Sequence, residues 1–162
     1  MSIIRKLITT SKAPKPVAPY NQAVLVDRTL YVSGVIGLDK NTMRLVDGGI
    51  TAQTRQTLQN LGHILEAGGS SFDRVIKTTI LLQNMSDFST VNCIYEEFFT
   101  KDYPARCAYQ VAALPLGAQV EIEAIAISGP VTTVIGSVDN AAGCGTGGPI
   151  SCKSKIFYTI FF

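Results

Sequence analysis

From Gln119 to Ser128 the chain alternates without a break. Val120, Ile122, Ala124 and Ala126 take one parity, and Glu121, Glu123, Ile125 and Ile127 take the other. Successive side chains on a strand point to opposite faces. The segment therefore predicts a strand with one wholly apolar face and one face that mixes carboxylates with isoleucines. Such a strand needs a sheet around it, a covering layer on its apolar side, and something other than bulk water over Ile125 and Ile127. The run Arg74 to Gln83 is β-branched at Val75, Ile76, Thr78, Thr79 and Ile80 and predicts a second, interior strand.

The remaining segments supply the partners. Ala23 to Val26 and Leu30 to Ile36 read as strands joined by the turn at Asp27 to Thr29, and Met43 to Val46 as a short strand before Asp47-Gly48-Gly49. Gly34 and Gly37 sit at the end of the second run, and a glycine inside a strand predicts a bulge or a close backbone approach. The period then changes. Ile50, Thr54, Leu58, Leu61, Ile64 and Leu65 share a helical face, with Gln53, Arg55, Gln56, Gln59 and Asn60 largely on the other, and Gly68-Gly69 is the stop signal. Ser86 is the expected N-cap of a second helix with Phe88, Val91, Tyr95 and Phe98 as its apolar face, Asn92 one turn in, and Glu96 and Glu97 solvated. Tyr103-Pro104 ends it. Arg106 to Ala113 is a further strand, separated from the last by the turn Leu114 to Ala118.

The order β-β-β-α-β-α-β-β predicts an α+β fold, a mixed β-sheet with two helices on one face. No element is left to cover the other face, so that face is expected to pack on further copies of the chain. Composition agrees: 46% of the 162 residues are hydrophobic and only 16% charged. Residues 1–130 are expected to form this domain. Residues 131–162 are expected to be a glycine-rich tail with an apolar end at Ile156 to Phe162. The tail holds a formal G-x-G-x-x-G at Gly143, Gly145 and Gly148, but Pro149 follows in place of a helix, so no dinucleotide site is expected.

Several function classes fall away. A net charge of +2 gives no bulk attraction for nucleic acid. No apolar run is long enough to span a bilayer. The apolar stretch Ile3 to Ile8 is short and broken by Arg5 and Lys6, so a secretory signal is not expected. The first 26 residues carry basic groups and no acid, a pattern shared by mitochondrial presequences and by a plain basic strand. Cys93, Cys107, Cys144 and Cys152 form no C-x-x-C pair and His63 is the single histidine, so neither a zinc site nor a histidine-dependent nucleophile is expected. What remains is a set of polar groups at strand ends and beside apolar surface: Arg106, Glu121, Asn92, and Tyr20 after the stiff lead Ala13 to Pro19. On residue types alone, a structural Arg106–Glu121 ion pair accounts for the charged members as well as a site does.

Pro19-Tyr20-Asn21-Gln22-Ala23, Tyr31-Val32-Ser33-Gly34, Asp87 to Asn92, Tyr103-Pro104-Ala105-Arg106 and Val120 to Ala126 occur in order. In these blocks the chain closely resembles the RidA/YjgF family of imine deaminases, over about residues 3 to 130. The resemblance implies a chorismate-mutase-like fold and a homotrimer with clefts between subunits. It implies hydrolysis of reactive 2-imino acids, such as 2-iminobutanoate and 2-iminopropanoate, to 2-keto acids and ammonia, with no cofactor and no metal. These imino acids are tautomers of enamines released by pyridoxal-phosphate-dependent dehydratases. Carried over by position, Arg106 binds the substrate carboxylate and Glu121 positions the attacking water, while Tyr20, Ser33, Gly34 and Asn92 line the cleft. A cytoplasmic location is implied, with a mitochondrial one added by the basic N-terminus. The chain departs from the family pattern at Ala18, at Val35, and at Ala108, where many members carry cysteine; Cys107 is one residue early and is expected on the other strand face. Two further functions stand beside deamination: single-strand-RNA cleavage, also attributed to the family, and a non-catalytic ligand-binding or chaperone-like trimer.

Overall fold

Alternating segments become one sheet. The computed structural model describes residues 2–136. In it the strands are β1 (Arg5–Ile8), β2 (Ala23–Val26), β3 (Thr29–Ile36), β4 (Val75–Leu82), β5 (Ala105–Gln110) and β6 (Val120–Ile127). The helices are α1 (Gly49–Ala67) and α2 (Phe88–Phe98). The strands lie in the order β1-β2-β3-β6-β4-β5. Every neighbouring pair is antiparallel except β4–β5, which are parallel and linked through α2. The α+β expectation holds, with β4 and β6 interior. Residues 137–162, which hold the glycine motif and the apolar end, lie outside the described residues.

The period-2 reading of β6 is realised residue by residue. Val120, Ile122, Ala124 and Ala126 are buried, while Glu121, Ile125 and Ile127 are half-buried and Glu123 is exposed. The buried set meets Leu58, Leu61, Ile64 and Leu65 of α1 and Val91, Ile94 and Tyr95 of α2 in one core. Each fully buried aliphatic side chain here contributes roughly 1.5–3 kcal/mol. The opposite sheet face carries Tyr31, Lys77, Cys107 and Tyr109 beside the outward residues of β6, and among the described residues no helix covers it. Cys107 lies on this open face, as its parity requires, and Lys77 Nζ donates to its Sγ at 3.0 Å.

Three local expectations are corrected. Met43 to Val46 forms only a single bridge, Leu38 with Leu45. Asp39 Oδ1 accepts from the backbone N–H groups of Asn41 and Thr42, and Met43 adopts φ 55°, so the chain turns where an extended run was expected. The additional strand is β1, the basic N-terminal segment. Ser86 is not the cap of α2. Asn84 Oδ1 instead accepts from the Ser86 N–H and caps the short 3₁₀ turn Met85–Asp87 that precedes the helix. Gln53 and Asn60, placed on the polar side of α1 by spacing, are buried. Asn60 Nδ2 donates to the carbonyls of Ile36 and Leu38, and Gln53 Oε1 accepts from Gln119 N–H. Strand ends leave backbone groups that need partners, and the helix supplies them.

At Gly37 the chain leaving β3 touches α1. A Cβ there would lie 2.7 Å from the backbone of Gln53. Backbone cannot yield as a side-chain tip does. Gly37→Ala is therefore expected to cost about 1–3 kcal/mol, read as a lower urea midpoint; an unchanged midpoint would show that α1 shifts freely on the sheet.

Candidate functional site

The regular pleat of β3 fails at one place. Val32 pairs with Ala124, and the next pair is Val35 with Ile122, so Ser33 and Gly34 together oppose Glu123. This is the bulge that Gly34 predicted. It also reverses parity. Val35 is buried in the core, and Ile36 turns to the open face opposite Glu121.

The close approach predicted for Gly34 is present too. A Cβ on Gly34 would fall 1.7 Å from Glu121 Oε1, so the carboxylate occupies the space that any other residue would take. Glu121 is flanked in register by Ile36 on one side and Leu81 on the other. Burial pushes its carboxyl above the usual range, and the charge of Glu123 adds to the effect.

Tyr20 reaches the same region through the proline-rich lead. Gln22 holds that lead. Its Nε2 donates to the carbonyls of Pro14 at 2.8 Å and Thr10 at 3.1 Å, and its Oε1 accepts from Thr10 N–H at 2.7 Å. Gln22 is 4% exposed. Ser33 Oγ donates to the Asn21 carbonyl at 2.7 Å, and its N–H to the Gln22 carbonyl at 3.1 Å, so lead and bulge are tied together. Tyr20, Ser33 and Gly34 line an open recess, with Lys15, Leu38 and Ile64 also on its wall. Sequence reasoning missed Gln22 as an organiser. Its place between a donor-poor proline run and the first buried strand was the available signal.

Arg106 and Asn92 lie elsewhere. Arg106 pairs in parallel register with Thr78, whose side chain is buried and hydrogen-bonded to the Tyr95 hydroxyl of α2 at 2.9 Å. Arg106 therefore faces the helix layer. Its Nη1 donates to Asn92 Oδ1 at 2.9 Å, and its guanidinium carbon stands 5.1 Å from the Tyr95 ring centre and 5.5 Å from that of Phe88. Among the described residues no carboxylate lies within salt-bridge distance of it. With Asn92 occupying one of five N–H donors, the rest of the fork is available to a planar anion.

The structure thus groups the expected residues in two sets: Tyr20, Ser33, Gly34 and Glu121 around the bulge, and Asn92 with Arg106 against α2. Glu121 shares the parity of the open face, and Arg106 that of the helix face. The structural Arg106–Glu121 ion pair is overturned, because one sheet separates the two side chains. One set contains a half-buried carboxylate whose pKa is raised, and the other a guanidinium with N–H donors to spare. His63 belongs to neither; it is half-exposed on α1, 3.9 Å from Glu66. No group of three or more His, Cys, Asp or Glu side chains suited to a metal ion occurs among the described residues.

Residues 10–128 match the family described as endoribonuclease L-PSP. The human 2-iminobutanoate/2-iminopropanoate deaminase is 55% identical over 132 residues, which is 82% of this chain and 96% of that protein. The rat protein of the same name is 58% identical over the same shares. Among solved structures, RidA from the Antarctic bacterium Psychrobacter sp. PAMC 21119 superposes with a TM-score of 0.73 at 44% identity, covering 75% of this chain and 98% of that one.

If Gln22 organises the lead, Gln22→Leu leaves the Thr10 and Pro14 carbonyls without their partner. The expected loss is about 1–3 kcal/mol in urea unfolding, together with faster proteolysis between Thr10 and Tyr20. A variant as stable and as protease-resistant as the parent would refute that role.

Proposed function

The chain belongs to the endoribonuclease L-PSP family, the RidA/YjgF family whose motifs it carries, and we propose that its two half-sites act together across a subunit boundary. It is a 2-iminobutanoate/2-iminopropanoate deaminase, as are its relatives over most of their length. The observation that carries the shared site is the placement of Arg106 and Glu121 on opposite faces of one sheet. Within one chain they cannot hold the same small imino acid. The uncovered sheet face supports a homotrimer that brings the Glu121 set of one subunit to the Arg106 set of the next.

The chemistry then follows from the groups. Arg106, steadied by Asn92, takes the substrate carboxylate with paired N–H donors. The protonated imine carbon is already electrophilic. Glu121 accepts a proton from water as the water oxygen bonds to that carbon and the C=N π pair moves to nitrogen. The carboxyl returns the proton to nitrogen, the C–N bond breaks with its electron pair, and ammonia leaves. Loss of the hydroxyl proton completes the 2-keto acid. Burial favours Glu121 as a base, because its raised pKa strengthens proton uptake at neutral pH. Tyr20, Ser33 and Gly34 close the cleft around the substrate.

Two experiments test this reading. Arg106→Ala and Glu121→Gln are each expected to abolish ammonia release from 2-iminobutanoate made in situ. Co-refolded as a mixture, they are expected to regain about a quarter of the parental activity, since intact sites then form between unlike subunits. A mixture that stays inactive would place the whole site in one chain or assign the chemistry to other residues.

The acid limb of kcat/KM should lie above the ordinary glutamate value of about 4.3, because Glu121 must be ionised to act and its pKa is raised. Glu123→Gln removes a charge that raises it, so the limb is expected to move to lower pH. A limb that does not move would deny Glu121 the base role.

A further inference from the structure

Phe88, Asn92 and Tyr95 are spaced i, i+4, i+7 on α2 and so lie on one helical face. All three meet the same guanidinium. Asn92 Oδ1 accepts from Arg106 Nη1 at 2.9 Å, and the rings of Tyr95 and Phe88 lie 5.1 and 5.5 Å from the guanidinium carbon. We propose that this stripe is a cradle for Arg106, with Phe88 and Tyr95 as positioning residues that set the plane in which Arg106 receives a carboxylate. The inference rests on the carboxylate-binding reading of Arg106 and extends it to residues that do not touch the substrate.

An arginine on an exposed edge strand has many rotamers of similar energy. A two-point contact with a carboxylate requires one of them. A single hydrogen bond to Asn92 leaves the guanidinium free to rotate about that contact. Two rings within cation–π range remove this freedom, because the cation is drawn to both ring faces. The platform is itself fixed. Tyr95 is 3% exposed, its hydroxyl is bonded to Thr78 Oγ1, and its ring stacks on Phe99 with centres 4.1 Å apart and planes 12° from parallel. Phe88 is half-buried. The residues of the apolar face read from spacing thus play different parts. Val91 packs into the core, Phe98 meets Phe72, and Phe88 and Tyr95 carry the arginine.

The test measures binding of 2-oxobutanoate by calorimetry and KM in the deaminase assay, on the full chain. Phe88→Leu keeps an apolar group but loses the ring. It is expected to weaken binding and raise KM about three- to tenfold, with thermal stability little changed, and Phe88→Tyr is expected to recover most of that loss. In Arg106→Gln, adding Phe88→Leu should cost little more, since the ring acts through the guanidinium. Equal affinity in Phe88→Leu and the parent, or a full additional loss on top of Arg106→Gln, would overturn the cradle while leaving Arg106 as the anion clamp. Normal binding and turnover by Arg106→Ala would instead remove the carboxylate-binding reading, and the cradle with it.

Discussion

Neighbouring residues on a strand face opposite ways, and this parity governs where each group in the molecule can act. On β6 it sends Val120, Ile122, Ala124 and Ala126 under the helices and leaves Glu121 and Glu123 outside. On β5 it turns Arg106 toward α2 and Cys107 away. One rule therefore builds the core, separates Arg106 from Glu121, and leaves one sheet face open among the described residues. The separation of the two polar sets and the sheet face left open among the described residues both follow from a single geometric fact. Bringing Arg106 and Glu121 to one face would need a break in that parity between β5 and β6, and their shared neighbour β4 pairs regularly with β6 from Lys77 to Leu82 and with β5 from Lys77 to Leu82.

The break in β3 between Val32 and Val35 is supported from behind by polar side chains. Gln22 gathers the carbonyls of the N-terminal lead, and Ser33 bonds to the Asn21 carbonyl. Asn60 of α1 satisfies the carbonyls of Ile36 and Leu38 just past the bulge. Irregular backbone is costly when its N–H and C=O groups are buried without partners. Here amides placed on neighbouring elements supply those partners, so the irregularity is held in one conformation and presents Tyr20 and Gly34 to the recess.

Much of this was legible in the residues. The alternation of β6 and the helical face of α1 are properties of sequence that survive into structure unchanged. The glycine in β3 announced a bulge or a close approach, and both are present. Other features were not legible, for physical reasons. Whether Met43 to Val46 extends or turns depends on the Asp39 carboxylate, a local competitor that an apolar pattern does not register. The burial of Asn60 depends on strand ends more than twenty residues away. The division of the α2 face depends on β5 lying parallel beside β4, because that register alone brings Arg106 over Phe88 and Tyr95. The family motifs singled out Arg106 and Glu121 but not their separation, since a motif does not record which face of a sheet each residue occupies.

The bulge has an implication for how such a chain can change. Removing one residue from the Ser33-Gly34 pair would restore an unbroken ladder between β3 and β6, and a regular ladder is the more stable arrangement of two strands taken alone. The same deletion would leave Val35 opposite Ile122 and Ile36 opposite Glu121, but it would disturb the displaced backbone at Gly34 that makes room for the Glu121 carboxylate. Regular pairing and the space beside Glu121 therefore make opposite demands on this segment. The irregular step in β3 is where the second demand is met.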